Sequence, residues 1–345
     1  MGRQSLRFAM FGCGFWAHYQ LSGWQEVEGV ECVAVCDPTR GKAEAMAAKF
    51  EVPTAYSDAD QLLASVQVEF IDVVTDVHSH EALVRKAAEK GLPVICQKPL
   101  APSLEASQRC VAVCRDAGAP LFVHENWRWQ RPLREVKSVL DSGRIGTPFR
   151  ARLDMISGFE VFENQPFLKE LDRFILTDLG THVLDVARFY FGEAEELYCQ
   201  THQIHQDIQG EDVATVMMRM NRGRTTVTCN LAYAGNPLER EAFPQTLLFI
   251  EGDRGSIELD VNYWLRVTTT EGTLSRRVPP PMFDWVNPDY AVVQSSIVDC
   301  HRDLARAIAD PRHPAETTGE DNLKTLELVY ASYESDEQRR VIQFA

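Results

Sequence analysis

The chain has 345 residues, 45% of them apolar, and a formal net charge of −15. That length exceeds one ordinary core, so two domains are expected. The acidic balance argues against nucleic acid or an anionic membrane surface as partner, and no apolar run approaches the roughly 18 residues of a membrane span.

The N-terminus runs straight into a strand without a leader pattern, so a cytoplasmic location is expected. Of the nine cysteines, Cys13, Cys32, Cys36, Cys96, Cys199 and Cys229 sit in apolar runs, as reduced buried thiols do. Cys110 and Cys114 share a helix face, but no His or Cys pair completes a zinc site, so no metal is expected.

In chain order, the apolar strand Leu6–Phe11 enters Gly12-x-Gly14-x-x-Ala17 and then helix-compatible sequence. A second apolar run, Val30–Cys36, ends at Asp37. Dinucleotide binding needs this arrangement. Gly12 permits a tight turn, Gly14 lets the backbone approach a pyrophosphate, and Ala17 allows close helix–strand packing. The helix N-terminus offers free N–H groups to phosphate. Asp37 is expected to accept hydrogen bonds from the adenosine ribose and to favour NAD, because a carboxylate repels a 2′-phosphate. Phe11, Cys13, Phe15 and Trp16 in the loop complete the expected cofactor lining, with Thr75, His80, Gln97 and Lys98 after later strands. His80 could equally cap its helix.

Further apolar runs at 70–75, 94–96 and Leu121–His124 alternate with helical patterns at 43–50, 60–64, 80–90 and Leu104–Ala117. Gly91 and Gly118 fall where helix stops belong. This alternation predicts an α/β Rossmann domain with a parallel sheet over residues 1–125. Beyond residue 145 the strands lengthen and alternate apolar with polar. They fall at 149–157, 196–201, 214–220, Thr225–Tyr233, 246–251, 256–259 and 265–269, with turns at 221–223 and 252–255. One helix at 179–191 interrupts them, and two follow at 292–309 and 320–336. The second domain, 126–345, is therefore expected to be α+β with a large, mostly antiparallel open sheet. Its uncovered face predicts a homo-oligomer, a dimer or tetramer, through that sheet.

Three segments carry candidate chemistry. Lys98, in Gln97-Lys98-Pro99, ends a parallel strand, where open α/β sheets bind ligands. Pro99 biases Lys98 away from helical dihedrals. A positive charge there would favour ionisation of a substrate hydroxyl, although a surface lysine at a turn fits the local pattern too. Asp178 and His182, four apart, would share a helix face. His182 suits proton abstraction from an alcohol, or is a core histidine; Asp178 would hold the substrate or the imidazole, or cap the helix. Asp185 and Arg188 read as a structural pair. In His124-Glu-Asn-Trp-Arg-Trp-Gln130, an extended chain would put Trp127 and Trp129 on one face with Glu125. Asn126 and Arg128 would then take the other. Such a cluster suits a sugar, or plugs a domain interface.

The glycine loop, Gln97-Lys98-Pro99 and Asp178-x-x-x-His182-x-x-Asp185 together resemble the Gfo/Idh/MocA family of NAD(P)-dependent sugar and inositol oxidoreductases, over essentially the whole length. The resemblance implies a catalytic set of Lys98, Asp178 and His182, with His182 as general base. It also implies that Lys98, Asn126, Trp127, Arg128, Asp178 and His182 contact a small neutral sugar. The family usually has Glu where this chain has Gln97, which leaves Lys98 without that anionic neighbour. Cys-Gln-Lys-Pro at 96–99, the 124–130 segment and Asn-Gln-Pro-Phe-Leu-Lys-Glu at 164–170 are most similar to the members that act on D-apiose. That implies NAD-dependent oxidation of the aldose at its anomeric carbon to a lactone. The alternatives are a dehydrogenase of another sugar, polyol or inositol, an NAD-dependent glycosidase, or a non-catalytic NAD-sensing regulator.

Overall fold

Short apolar runs make parallel strands here because both of their faces are buried. The strands are β1 (Leu6–Phe11), β2 (Val30–Cys36), β3 (Thr54–Tyr56), β4 (Phe70–Val73), β5 (Val94–Gln97) and β6 (Leu121–His124). They form one sheet in the order β3-β2-β1-β4-β5-β6, every pair parallel. The connections are α1 (Phe15–Gln25), α2 (Arg40–Phe50), α3 (Ala59–Ser65), α4 (His80–Ala88) and α5 (Leu104–Ala117). This is the expected Rossmann-type sheet, with strand order reversing between β1 and β4, the position where such sheets bind ligands. The structure is a computed structural model and describes residues 5–159, 161–234 and 242–344.

The chain forms two units. The first holds Met1–Asn126 and takes back Phe283–Asn287 and Gln294–Leu323. A single crossing at residue 125, as expected from the sequence, leaves out these returning segments. Their physical anchor is the helix Ser296–Ala309, which packs on α1. A Cβ on Gly23 would come within 2.6 Å of Ile297 Cγ2, so the two helices approach at a glycine. One residue on, Trp24 stacks on His301 with centroids 3.7 Å apart.

The second unit holds Trp127–Met282, Pro288–Val293 and Lys324–Ala345. After α6 (Arg131–Asp141) come β7 (Pro148–Ser157), the short α7 (Val161–Asn164) and α8 (Thr181–Phe191). Then follow β8 (Glu196–His202), β9 (Val213–Met220), β10 (Thr225–Tyr233), β11 (Leu247–Gly252), β12 (Gly255–Asp260), β13 (Trp264–Thr269), β14 (Gly272–Arg277) and β15 (Ile342–Gln343). The nine strands order as β14-β13-β12-β11-β7-β10-β9-β8-β15. The sheet is the expected mostly antiparallel one; β7 and β10 alone among these pairs run parallel.

Period-two alternation assigns the two faces. Leu153, Met155, Val216, Met218, Cys229, Leu231 and Ile250 point inward and are buried. α8 packs on β7 and β10 from that side. The opposite face carries Arg152, Ile156, Met217 and Trp264 to solvent.

Candidate active site

The first unit builds a cradle at the ends of β1 and β2. Gly12 has φ +99°, and a Cβ there would lie 2.3 Å from the Val74 carbonyl oxygen, so only glycine fits. Its N–H donates to the Cys36 carbonyl at 2.8 Å, which joins the two strand ends. Asp37 is nearly buried. Its carboxylate accepts the Cys13 N–H at 3.0 Å and the Thr39 N–H at 2.8 Å, so the acid is turned toward the glycine loop.

Two observations fit this cradle to a dinucleotide. A Cβ on Gly14 would meet nothing within 4 Å, which leaves the backbone open to close approach. α1 starts directly after Gly14 with no side chain capping its first N–H groups, so those donors and the helix dipole suit a pyrophosphate. Ala17 is fully buried, as close helix–strand packing requires.

The other expected cofactor residues divide by exposure. Phe15 is exposed and Trp16 half-buried beside the loop. Phe11 points into the core, leaving only its backbone toward the loop, where its carbonyl accepts the Val74 N–H at 2.7 Å. The Cys13 thiol is buried. That burial, then the charge of Asp37, pushes it up to about 12, which keeps it an inert thiol. Thr75 is half-buried, and its hydroxyl accepts from Ser79 at 2.6 Å.

His80 departs from its expected role. It is 1% exposed, and both ring nitrogens face backbone carbonyls: Nε2 lies 3.2 Å from Thr75 O, Nδ1 3.1 Å from Pro99 O and 3.3 Å from Leu100 O. The ring ties the turn after β4 to the turn after β5 through both of its nitrogens. Burial lowers its pKa against the pull of those carbonyls.

Lys98 is half-buried in the turn that His80 braces, and the Lys98–Pro99 peptide is cis. Its backbone N–H donates to Gln97 Oε1 at 2.8 Å. Gln97 Nε2 donates to Gln20 Oε1 at 2.8 Å and lies 3.5 Å from His124 Nδ1. Gln97 therefore holds the lysine turn.

In the second unit, Asp178 lies in a π-helical turn, Leu176–Gly180, that leads into α8. Single π-turns within helices recur at functional sites. Glu211 fixes this entry. Its carboxylate accepts the Phe174 and Leu176 N–H groups at 3.1 Å each and the Tyr333 hydroxyl at 2.7 Å. Burial, and then the charges of Asp178 and Tyr290, hold the Tyr233 phenol above its ordinary pKa. His182 occupies the first turn of α8, 6% exposed. Trp127 stacks flat on its ring with centroids 4.5 Å apart and planes 5° from parallel. The stack fixes the plane of the imidazole.

One expectation for the 124–130 segment is corrected. Residues Trp127–Trp129 form a 3₁₀ turn, so the two indoles do not share a face. Trp127 meets His182, while Trp129 lies 3.6 Å from the Arg134 guanidinium. Arg128 is buried and bidentate to Asp185, Nε to Oδ2 at 2.7 Å and Nη2 to Oδ1 at 2.5 Å. Arg188, the expected partner of Asp185, pairs with it at 3.8 Å and also takes Glu193 in a bidentate pair at 2.9 Å, so Asp185 lies between two guanidiniums. Asn126 is buried, and its amide donates to Ser296 Oγ at 2.8 Å, so it braces the returning helix of the first unit.

Sequence reasoning missed two groups, the Glu211 clamp and the buried acid Asp72. The signal for Asp72 was present, since one charge interrupts the apolar run Phe-Ile-Asp-Val-Val at 70–74. Among the described residues, no group of three or more His, Cys, Asp or Glu side chains could hold a metal ion, and no helix is long and apolar enough to cross a membrane.

Residues 6–125 match the family model described as "Oxidoreductase family, NAD-binding Rossmann fold", and residues 133–258 match "GFO/IDH/MocA C-terminal domain". The chain belongs to the Gfo/Idh/MocA oxidoreductase family. Among its relatives, the D-apiose dehydrogenase of Paraburkholderia graminis is 39% identical over 97% of this chain and 88% of that protein. The D-apiose dehydrogenase of Rhizobium rhizogenes is 39% identical over 99% and 98%. The crystal structure of an oxidoreductase from Agrobacterium radiobacter, in complex with NAD+, L-tartaric acid and magnesium, superposes with a TM-score of 0.95. It is 39% identical and covers 99% of this chain and 98% of that one. As a member of this family the chain is an NAD-dependent oxidoreductase, and its matched residues 6–125 contain the glycine-loop cradle and Asp37.

Proposed function

We propose that this oxidoreductase is a sugar dehydrogenase that oxidises D-apiose at its anomeric carbon to the lactone. The observation that carries the substrate is the 39% identity, over nearly the whole chain, to two D-apiose dehydrogenases. The chemistry drawn from bound NAD is hydride acceptance from that carbon. His182, its ring plane fixed by Trp127, takes the hydroxyl proton. The Lys98 ammonium, held in the turn after β5, stabilises the developing alkoxide. Asp178, on the π-turn before α8, hydrogen-bonds the sugar hydroxyls and orients the ring.

The enzyme is proposed to work in the cytoplasm, as its nine free thiols support. It is also proposed to assemble as a dimer or tetramer through the outer face of the nine-stranded sheet. The exposed Ile156, Met217 and Trp264 on that face support this.

The test is NADH formation over a panel of D-apiose, glucose, xylose, inositols and sugar phosphates at matched NAD and pH. Apiose is expected to lead in kcat/KM, with a lactone as first product. Comparable rates with an inositol or a sugar phosphate refute the substrate. Glycoside cleavage without net NADH points to the glycosidase reading instead.

A further inference from the structure

Asp72, Gln20 and Gln97 form a line of hydrogen bonds with a single direction. Asp72 on β4 is fully buried, and its carboxylate accepts Gln20 Nε2 at 2.7 and 2.9 Å and Trp24 Nε1 at 2.7 Å. Gln20 Oε1 accepts Gln97 Nε2, and Gln97 Oε1 accepts the Lys98 N–H, both at 2.8 Å. Each amide turns its NH2 toward the acid and its carbonyl toward the lysine. Turning either amide over would set donor against donor or acceptor against acceptor in a buried site, where an unmet polar group is costly.

We propose that Asp72, Gln20 and Gln97 are positioning residues for Lys98, a two-amide relay whose direction is set by the acid at 72 and which requires an amide at 97. The proposal rests on the reading of Lys98 as catalytic. A carboxylate at 97 would face the Gln20 carbonyl. Reversing Gln20 to meet it would turn that carbonyl onto Asp72, which meets it only while the buried carboxyl keeps a proton. An amide at 72 strains the line from the other end: with its carbonyl kept on Trp24 Nε1, its NH2 takes the place of the oxygen 2.7 Å from Gln20 Nε2, and reversing both glutamines in response sets the Gln97 NH2 against the Lys98 N–H. The two changes together restore it. With Gln20 reversed, its NH2 donates to Glu at 97, its carbonyl accepts from Asn at 72, and the Lys98 N–H keeps an acceptor.

The experiment compares Gln97→Glu, Asp72→Asn and the double variant in the full-length enzyme at a pH well above 7, where the Asp72 carboxylate only accepts, with kcat and KM measured separately and folding checked by thermal unfolding. Each single variant is expected to lose about ten-fold or more in kcat, with sugar KM little changed, as one frustrated buried hydrogen bond displaces the turn. The double variant is expected to return to within about three-fold of wild type, a coupling that independent sites do not show. Wild-type kcat in Gln97→Glu, or a double variant no better than the worse single, overturns the relay. If a single variant does not fold, Gln97→Met carries the test. It removes both bonds at 97 and leaves Gln20 on Asp72, so wild-type kcat there also overturns the relay. Lys98→Met separates the two readings. If it keeps wild-type kcat, the catalytic reading of Lys98 falls, and the relay is judged by hydrogen exchange of the Lys98 amide. Slow exchange in wild type and double variant, with fast exchange in the singles, supports the relay; equal exchange in all four overturns it.

Discussion

Arg128→Met tests whether the arginine in the Trp-Arg-Trp turn holds α8 or binds sugar. The substitution leaves the Asp185 carboxylate in a site where it is 1% exposed. Removing one partner of such a pair destabilises by about 3–5 kcal/mol, mostly as the penalty of the charge left behind. The Thr325 hydroxyl at 3.0 Å and Arg188 at 3.8 Å stay beside Asp185 and offset part of it. The low end is therefore expected, and in a unit of this size about 3 kcal/mol lowers the unfolding midpoint by roughly 6–12 °C. Asp185 follows His182 by one helical turn on α8, so kcat should fall with the midpoint. Adding Asp185→Leu removes the stranded charge and is expected to recover most of the stability. The assay is thermal unfolding of the single and double variants, with kcat and sugar KM beside it. An Arg128→Met protein at the wild-type midpoint, or a double variant as unstable as the single, refutes the reasoning. Recovered stability with a sugar KM still raised many-fold would return Arg128 to the substrate.

Asp37→Ser is expected to shift the NAD-to-NADP preference by about 1–3 kcal/mol, the scale of a charge-assisted hydrogen bond, as judged from kcat/KM with each cofactor; an unmoved ratio refutes the role. His182→Ala should lower kcat by about 10²–10⁴-fold while NAD still binds by fluorescence titration, and wild-type activity should fall on the acid side, where the base is protonated. A fully active variant rules out this base. Glu211→Gln should lower kcat more than sugar KM, because it loosens the entry to α8, and unchanged kcat refutes the clamp. Burial raises the Asp72 pKa from 3.8 to about 7, against the Trp24 and Gln20 bonds. The folded state therefore holds a proton that the unfolded chain has lost, and wild-type stability should decline between pH 3.8 and about 7 more steeply than that of Asp72→Asn. Cys32 and Cys96 share its field, but burial keeps both thiols protonated in this window. Parallel stability–pH curves for the two proteins refute that assignment.

The sheet architectures were legible because parallel and antiparallel strands bury different numbers of faces, which shows directly as continuous or alternating apolar runs. β3 was not, since three half-exposed residues carry no pattern. α6 hid its stripe of Leu133, Val136 and Val139 behind an arginine-rich start, although Pro132 stands in its first turn. At the site, the glycine loop and Asp37 could be read because the turn itself demands those residue types. The partners of Asp185 could be read only in part. Helical spacing pointed to Arg188, which pairs at 3.8 Å, but the closer, bidentate guanidinium comes from 57 residues away. Nothing local distinguishes an extended Trp-Arg-Trp from a 3₁₀ turn, and that choice decided which indole meets His182.

The stacking of His301 on Trp24 also bears on how the protein is made. The outer surface of α1 is completed by residues near the far end of the chain, so translation must reach the helix Ser296–Ala309 before Gly23 and Trp24 are covered. At about 5–20 residues per second, the segment from Asn126 to His301 takes on the order of ten seconds or more to emerge. Through that interval the nascent nucleotide unit leaves the indole face that His301 stacks on and the surface at Gly23 uncovered. A ribosome-bound chain stopped near residue 126 should therefore engage chaperones and yield to protease, and it should lose both traits once residue 323 has cleared the exit tunnel.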